Sequence, residues 1–250
     1  MPAIKSRKKL FDPASKEPFL LSRSKLEIFI KCPKCFYLDR RMGVKPPGMP
    51  SMTLNRAVDT LMKAEFDGYR QRRAPHPAFL KRGIEAIPLD HPDISIWQSN
   101  FKGIKFLHQP TNFLVSGAPD EILVVNGEWS VIDFKGTSSK EEIVALDTEY
   151  RLANARQVEV YTWLLRMNGH PVGRKAYLLF ANARTDRQSF DGRLEFDLQL
   201  VEHLTNVDWI EPTLMQIKEC LLGEVPKPSP DCENCRYIEA VNGAVGRDAL

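Results

Sequence analysis

Asp120 and Asp133 stand thirteen residues apart, with Asn126-Gly127 and two apolar runs between them and Lys135 two residues beyond the second. Asn-Gly flanked by apolar runs is the strongest short-range signal for a two-residue hairpin. That loop sets Val125 opposite Glu128, Val124 opposite Trp129 and Ile122 opposite Val131, and the same register carries Asp120 to a place opposite Asp133. Directly opposed residues lie about 4.5–5.5 Å apart at Cβ, where like charges repel. A hard divalent cation relieves that repulsion, because Mg²⁺ takes one or two carboxylates together with waters and phosphate oxygens. Lys135 projects to the same side of the strand as Asp133. An ammonium beside a metal and its water can orient or deprotonate that water and offset phosphate charge. The chemistry expected is metal-assisted phosphodiester hydrolysis. The plain alternative, turn-proximal solvated carboxylates, is weakened by the apolar partners Ile122, Val124, Trp129 and Val131 on the same face and by the preceding Pro119.

Five cysteines occur, and four of them form two C-x-x-C pairs, Cys32 with Cys35 and Cys232 with Cys235. In a chain without a secretory segment such pairs read as metal ligands rather than disulfides. Together they supply the four thiolates of a tetrahedral Zn²⁺ or of an iron–sulfur cluster. The site would tie the N-terminal segment to the C-terminal one. Cys220 falls in a helical stretch and reads as an inert buried thiol that could still replace Cys35 as a ligand.

These residues need elements to hold them. Ser24-Lys25-Leu26-Glu27 has the form of a capping box opening a short helix that ends near Pro33. A Pro and Gly cluster at Pro46, Pro47, Gly48 and Pro50 precedes a second helix, whose Leu54, Val58, Leu61, Met62 and Glu65 recur at helical spacing as a core stripe. Strands are expected near 94–107, 111–125, 129–135, 175–181 and 193–201. Between them the periodicity of Leu152, Val158, Tyr161, Leu164 and Leu165 predicts a helix from Arg151 to Asn168, stopped by Asn168-Gly169 and Pro171. Gln157 and Tyr161 lie one turn apart on it, an amide and a phenol on one face. A last helix is expected from Val207 to Leu222.

The 43% hydrophobic content of 250 residues supports a substantial core. No apolar run reaches 18 residues and the N-terminus lacks a secretory core, so no membrane span or signal peptide is expected and a cytoplasmic location follows. The net charge of +3 is unevenly spread: residues 1–45 hold twelve Lys or Arg against four Asp or Glu. Lys5, Arg7, Lys8 and Lys9 read as a basic arm able to contact phosphates.

Taken in order, Asp120, Asp133-Phe134-Lys135 and Gln157-Val158-Glu159-Val160-Tyr161 resemble the PD-(D/E)XK nuclease superfamily, in particular its RecB-like branch with the CRISPR-associated RecB-like exonucleases. Cys32-Pro33-Lys34-Cys35-Phe36 resembles that branch's Cys-Pro-x-x-Phe segment, and the likeness extends over most of residues 20–240. The resemblance implies an α/β fold, a restriction-endonuclease-like core with a mixed central β-sheet flanked by helices. With the charge run at the N-terminus, the expected division is a basic flexible arm over 1–20, the nuclease domain over 21–240 and a tail over 241–250. Mg²⁺ or Mn²⁺ would be held by Asp120, Asp133 and the Phe134 carbonyl, Lys135 would act on the water, and Gln157 and Tyr161 would support substrate or Lys135. RecB-like members often carry a metal-ligating His where this chain has Asp59, so Asp59 is the further candidate ligand. Cys32, Cys35, Cys232 and Cys235 would hold a [4Fe-4S] cluster, with Zn²⁺ as the alternative. The activity implied is a DNA nuclease, an exonuclease of repair, recombination or CRISPR-related processing, with DNA as partner, no membrane and no assigned protein partner. A non-catalytic nucleic-acid-binding or structural module that keeps the fold and the cysteine site is the competing class.

Overall fold

A computed structural model of the chain describes residues 10–48 and 52–245. Lys5, Arg7, Lys8, Lys9 and Pro50 lie outside the described residues. The elements are β1 (Phe19–Ser22), α1 (Arg23–Lys31), α2 (Pro33–Arg41), α3 (Thr53–Arg72), α4 (Pro77–Leu80), β2 (Ala86–Pro88), α5 (Ile94–Trp97), β3 (Ile104–His108), β4 (Phe113–Gly117), β5 (Glu121–Val125), β6 (Glu128–Thr137), α6 (Glu149–Met167), β7 (Lys175–Ala183), β8 (Phe196–Leu204), α7 (Ile210–Leu222) and α8 (Glu233–Val245). They divide into two compact units, one of residues 10–48, 107–115 and 208–245, the other of residues 52–106 and 116–207. No described helix is long and apolar enough to cross a membrane.

The second unit is an α/β assembly around a mixed five-stranded sheet of order β2-β5-β6-β7-β8. Its β5–β6 hairpin has the register read from the sequence: Val125 pairs Glu128, Val124 pairs Trp129 and Ile122 pairs Val131. Asn126 and Gly127 turn it with φ of 52° and 83°, the left-handed pair that a type I′ turn requires. The ladder stops at Glu121 and Ile132. Asp120 therefore sits in a bend just before β5. β6 and β7 run parallel, with α6 as the crossover between them, the connection that parallel strands need. Ser130, Val131, Ile132, Asp133 and Phe134 of β6 are buried in succession, as in a strand covered on both faces. Phe66, Phe79, Leu123, Ile132, Phe134, Tyr177 and Leu179 form the core on one face, and α6 packs on β6 and β7.

The first unit centres on Phe11, Phe19 and Phe113, whose rings meet edge to face at 5.3–6.4 Å. Lys218 lies over Phe11 and Arg40 over Phe19. α2 packs against α1 and α7.

Several expectations are corrected. The strand expected at 94–107 is the single-turn helix α5, a turn, and then β3; the Asp93 carbonyl accepts from the Ile96 and Trp97 amides, and Trp97 stacks on His91 at 4.4 Å. Apolar residues two and three apart fit one helical turn as well as a strand. The 111–125 segment splits into β4 and β5 around Ala118-Pro119-Asp120. On α3 the buried residues are Met62 and Phe66, while Leu54 and Leu61 face solvent. The helix at Ser24 starts two residues earlier, with Ser22 at its cap and no side-chain capping bond, so the capping box does not form. The Arg151–Asn168 helix is present as α6, stopped at Asn168 with Gly169 at φ 82°.

Candidate active site

Asp133 is buried on the central strand β6, and Lys135, two residues on, forms an ion pair with it. From α6, Gln157 Nε2 donates to Asp133 Oδ1 at 2.7 Å and lies 3.0 Å from Tyr161 Oη, while Gln157 Oε1 accepts from Lys135 Nζ at 3.1 Å. One amide thus fixes both the carboxylate and the ammonium. The i, i+4 spacing on α6 and the two-residue alternation on β6 bring the four side chains together, as the sequence predicts.

Asp120 is held on three sides. Its Oδ2 accepts from the Phe134 amide at 2.9 Å, its carbonyl accepts from Gln98 Nε2 at 2.7 Å, and its Oδ1 lies 2.9 Å from Lys63 Nζ. Lys63 also reaches Asp59 at 3.1 Å, one turn back on α3. Asp59 is thus linked to Asp120 through a shared lysine. Burial and the Asp120 charge raise the Asp59 carboxyl above its ordinary value, against the pull of Lys63 and Lys135. Burial lowers Lys63, but the two aspartates outweigh it and hold its ammonium above the usual lysine range. Phe134 has its side chain in the core and its amide on Asp120.

Lys63 and Gln98 were missed by the sequence reading. Lys63 had a signal, an Asp-to-Lys spacing of four on a helix. Gln98 had none, since its segment reads as a strand. Behind Asp120, buried Glu121 pairs with Arg70, whose Nε donates to the Leu89 carbonyl at 2.8 Å. Burial pushes Glu121 up to about 6 even beside that guanidinium. The pair braces the residue next to Asp120.

Gly117 ends β4 against the Tyr161 ring. A Cβ there would meet Tyr161 ring carbons at 2.7 Å and Leu164 Cδ1 at 3.0 Å. Gly117→Ala should therefore cost about 1–3 kcal/mol, the usual scale of overpacking, read as a lower urea midpoint; an unchanged midpoint would show that Tyr161 yields freely.

The carboxylates fit a hard divalent ion by charge and donor type. Asp59, Asp120 and Asp133 offer only oxygen acceptors, and Lys63 and Lys135 leave one negative charge uncompensated. Among the described residues, however, only the cysteines bring three or more ligand atoms within 4.8 Å of one another. Lys63 stands between Asp59 and Asp120, and Lys135 is paired with Asp133.

The cysteine centre lies in the first unit. Cys35 Sγ is 3.5 Å from Cys232 and 3.6 Å from Cys235, and Cys32 is 3.8 Å from Cys235. The two pairs are built alike: the Phe36 amide bonds the Cys32 carbonyl and the Arg236 amide bonds the Cys232 carbonyl, at the start of α2 and of α8. A helix start favours thiolate. Burial raises the Cys32 thiol, but hydrogen bonds from Ser229, Cys35 and Cys232 outweigh it and bring it to about 7, while burial pushes Cys235 up to about 11 and Cys35 further. Four sulfurs this close cannot all ionise without a cation among them, so the donor set fits a metal. Cys220 stands outside the group and Cys35 is in it.

The sequence model of the PD-(D/E)XK nuclease superfamily matches residues 50–240. No curated protein matches the chain.

Proposed function

Because the chain belongs to the PD-(D/E)XK nuclease superfamily, whose members are mostly metal-dependent phosphodiester hydrolases acting on nucleic acid, we propose that it is a DNA exonuclease of the RecB-like branch. Repair, recombination or CRISPR-related processing in the cytoplasm is the corresponding setting; of the arm expected over 1–20 and the tail expected over 241–250, Phe11 and Phe19 instead pack in the first unit and α8 runs on to Val245, so the basic segment that could contact phosphates is the one ahead of residue 10. The observation that carries the reading is Gln157, which bonds Asp133 and Lys135 at once beside Asp120.

Asp120, Asp133 and the Phe134 carbonyl, with Asp59, would hold Mg²⁺ or Mn²⁺, which when bound polarises a phosphoryl oxygen and lowers the pKa of water. Lys135 orients the attacking water and takes up or offsets charge as it develops. Gln157 holds Lys135 in the position from which it can do so. Tyr161 holds Gln157, and the Phe134 amide keeps Asp120 turned toward β6.

At the cysteines, the Cys35–Cys232, Cys35–Cys235 and Cys32–Cys235 sulfur separations of 3.5–3.8 Å, in a group whose sulfurs all lie within 4.8 Å of one another, are near the roughly 3.8 Å edge of a tetrahedron with ~2.3 Å Zn–S bonds. The four thiolates of a [4Fe-4S] cluster bind four different irons and stand further apart. The spacing therefore favours Zn²⁺ over the cluster that the resemblance implies.

The test is a digestion series on end-labelled single-stranded, duplex and circular DNA with and without Mg²⁺ or Mn²⁺. Release of short products from labelled ends, only with metal and not from circles, is expected. Cutting of circles would replace exo- by endonucleolytic action. Binding without cleavage at any metal concentration would assign the chain to the non-catalytic class.

A further inference from the structure

Two lysines divide the acidic groups of the site between them. Lys135 is paired with Asp133 and held by Gln157, an arrangement the proposed chemistry uses. Lys63 is paired with Asp59 and Asp120, and the proposed chemistry gives it nothing to do. Its side chain is only 27% exposed. Burying an ammonium is costly unless it is paired, so the contact is specific rather than a drifting surface pair. Lys63 Nζ lies between the two carboxylates, 3.1 Å from Asp59 Oδ1 and 2.9 Å from Asp120 Oδ1.

We infer that Lys63 is a built-in cation that competes with the divalent metal for Asp59 and Asp120. This rests on the metal reading of the site. Asp120 Oδ2 is already engaged by the Phe134 amide, so the oxygen best placed to turn toward an incoming ion is Oδ1, the one Lys63 occupies. A metal seated on Oδ1 and an ammonium 2.9 Å from the same oxygen repel each other as like charges. Lys63 must withdraw or share before the metal settles. Without metal it performs the opposite service, keeping two neighbouring carboxylates from repelling each other. The site is thereby stable when empty of metal and binds metal more weakly than its carboxylates alone would.

Two further features fit this role. Lys63 lies one helical turn from Asp59, so helix α3 carries both the ligand and its competitor and no loop must move to exchange them. Its four-carbon stem can also swing the ammonium away without moving the helix. An arginine, planar and anchored by several donors, would release less readily.

The experiment is a Mn²⁺ titration of the full chain without nucleic acid, reading free Mn²⁺ by electron paramagnetic resonance, for the wild type, Lys63→Met and Asp133→Asn. Lys63→Met keeps the length and removes the charge, and should bind Mn²⁺ about five- to tenfold more tightly, the scale of one partly buried ion pair. Lys63→Gln, which keeps a hydrogen-bond donor, is the second variant and should shift in the same direction. Equal or weaker Mn²⁺ binding by a folded Lys63 variant overturns the inference. Asp133→Asn should weaken Mn²⁺ binding at least ~10-fold. If it binds like the wild type, the metal is not at this site, and the reading beneath the inference fails separately from the role of Lys63.

Discussion

Lys135→Ala and Asp133→Asn should each lower the rate of metal-dependent DNA cleavage at least ~10²-fold, the contribution of one well-positioned catalytic group. The geometry gives both the same weight, because each is bonded to Gln157 and to the other. Asp133→Asn is chosen over Ala because Asp133 is buried and the amide keeps its volume and an oxygen that can accept from Gln157. DNA affinity should change far less, since phosphate contacts spread over many Lys and Arg carry it. Filter binding in Ca²⁺ measures the affinity, and a quenched-flow rate measures cleavage. A variant that cuts at the wild-type rate removes its residue from the mechanism.

The second large effect is expected at the cysteines. Cys35→Ser should abolish metal binding there, because Cys35 touches both Cys232 and Cys235 and three remaining thiols do not close a tetrahedral site. Structural zinc contributes about 10–16 kcal/mol in small domains. A third of that, about 4 kcal/mol, lowers the melting temperature of a chain this size by roughly 8–16 °C. Elemental analysis should give one zinc per wild-type chain and none in Cys35→Ser; iron with acid-labile sulfide would restore the [4Fe-4S] reading. Equal melting temperatures with equal metal content would deny the centre altogether.

The hairpin was legible because Asn126-Gly127 fixes its own register, and a two-residue loop leaves no slack for error. Gln157 and Tyr161 were legible because helical spacing fixes which side chains share a face. What the sequence hides is where a ladder ends. Extending the register placed Asp120 in a pair with Asp133, whereas the chain enters β5 only at Glu121 and holds Asp120 by the Phe134 amide instead. The segment at 94–97 was misread because a single helical turn and a strand share the same apolar pattern at that length. Lys63 was legible only in part: its spacing of four from Asp59 is a local signal, but its other partner Asp120 is 57 residues away in sequence, and no local rule connects them. The exposed Leu54 and Leu61 show that a stripe of leucines marks a helix without saying which side is inside.

The cysteine pairs also set a schedule. Cys35 and Cys232 are 197 residues apart, and at roughly 5–20 residues per second a ribosome takes on the order of 10–40 s to make what lies between them. During that interval the first pair is an open, two-thiol claw that metal or oxidant can reach, and α2, which carries Cys35, waits without α7. Residues 116–207, which carry Asp120, Asp133 and Lys135, are complete before the second pair emerges. A metal held by all four cysteines would thus act as a proofreading mark for synthesis, closing only on chains in which α8 has been made.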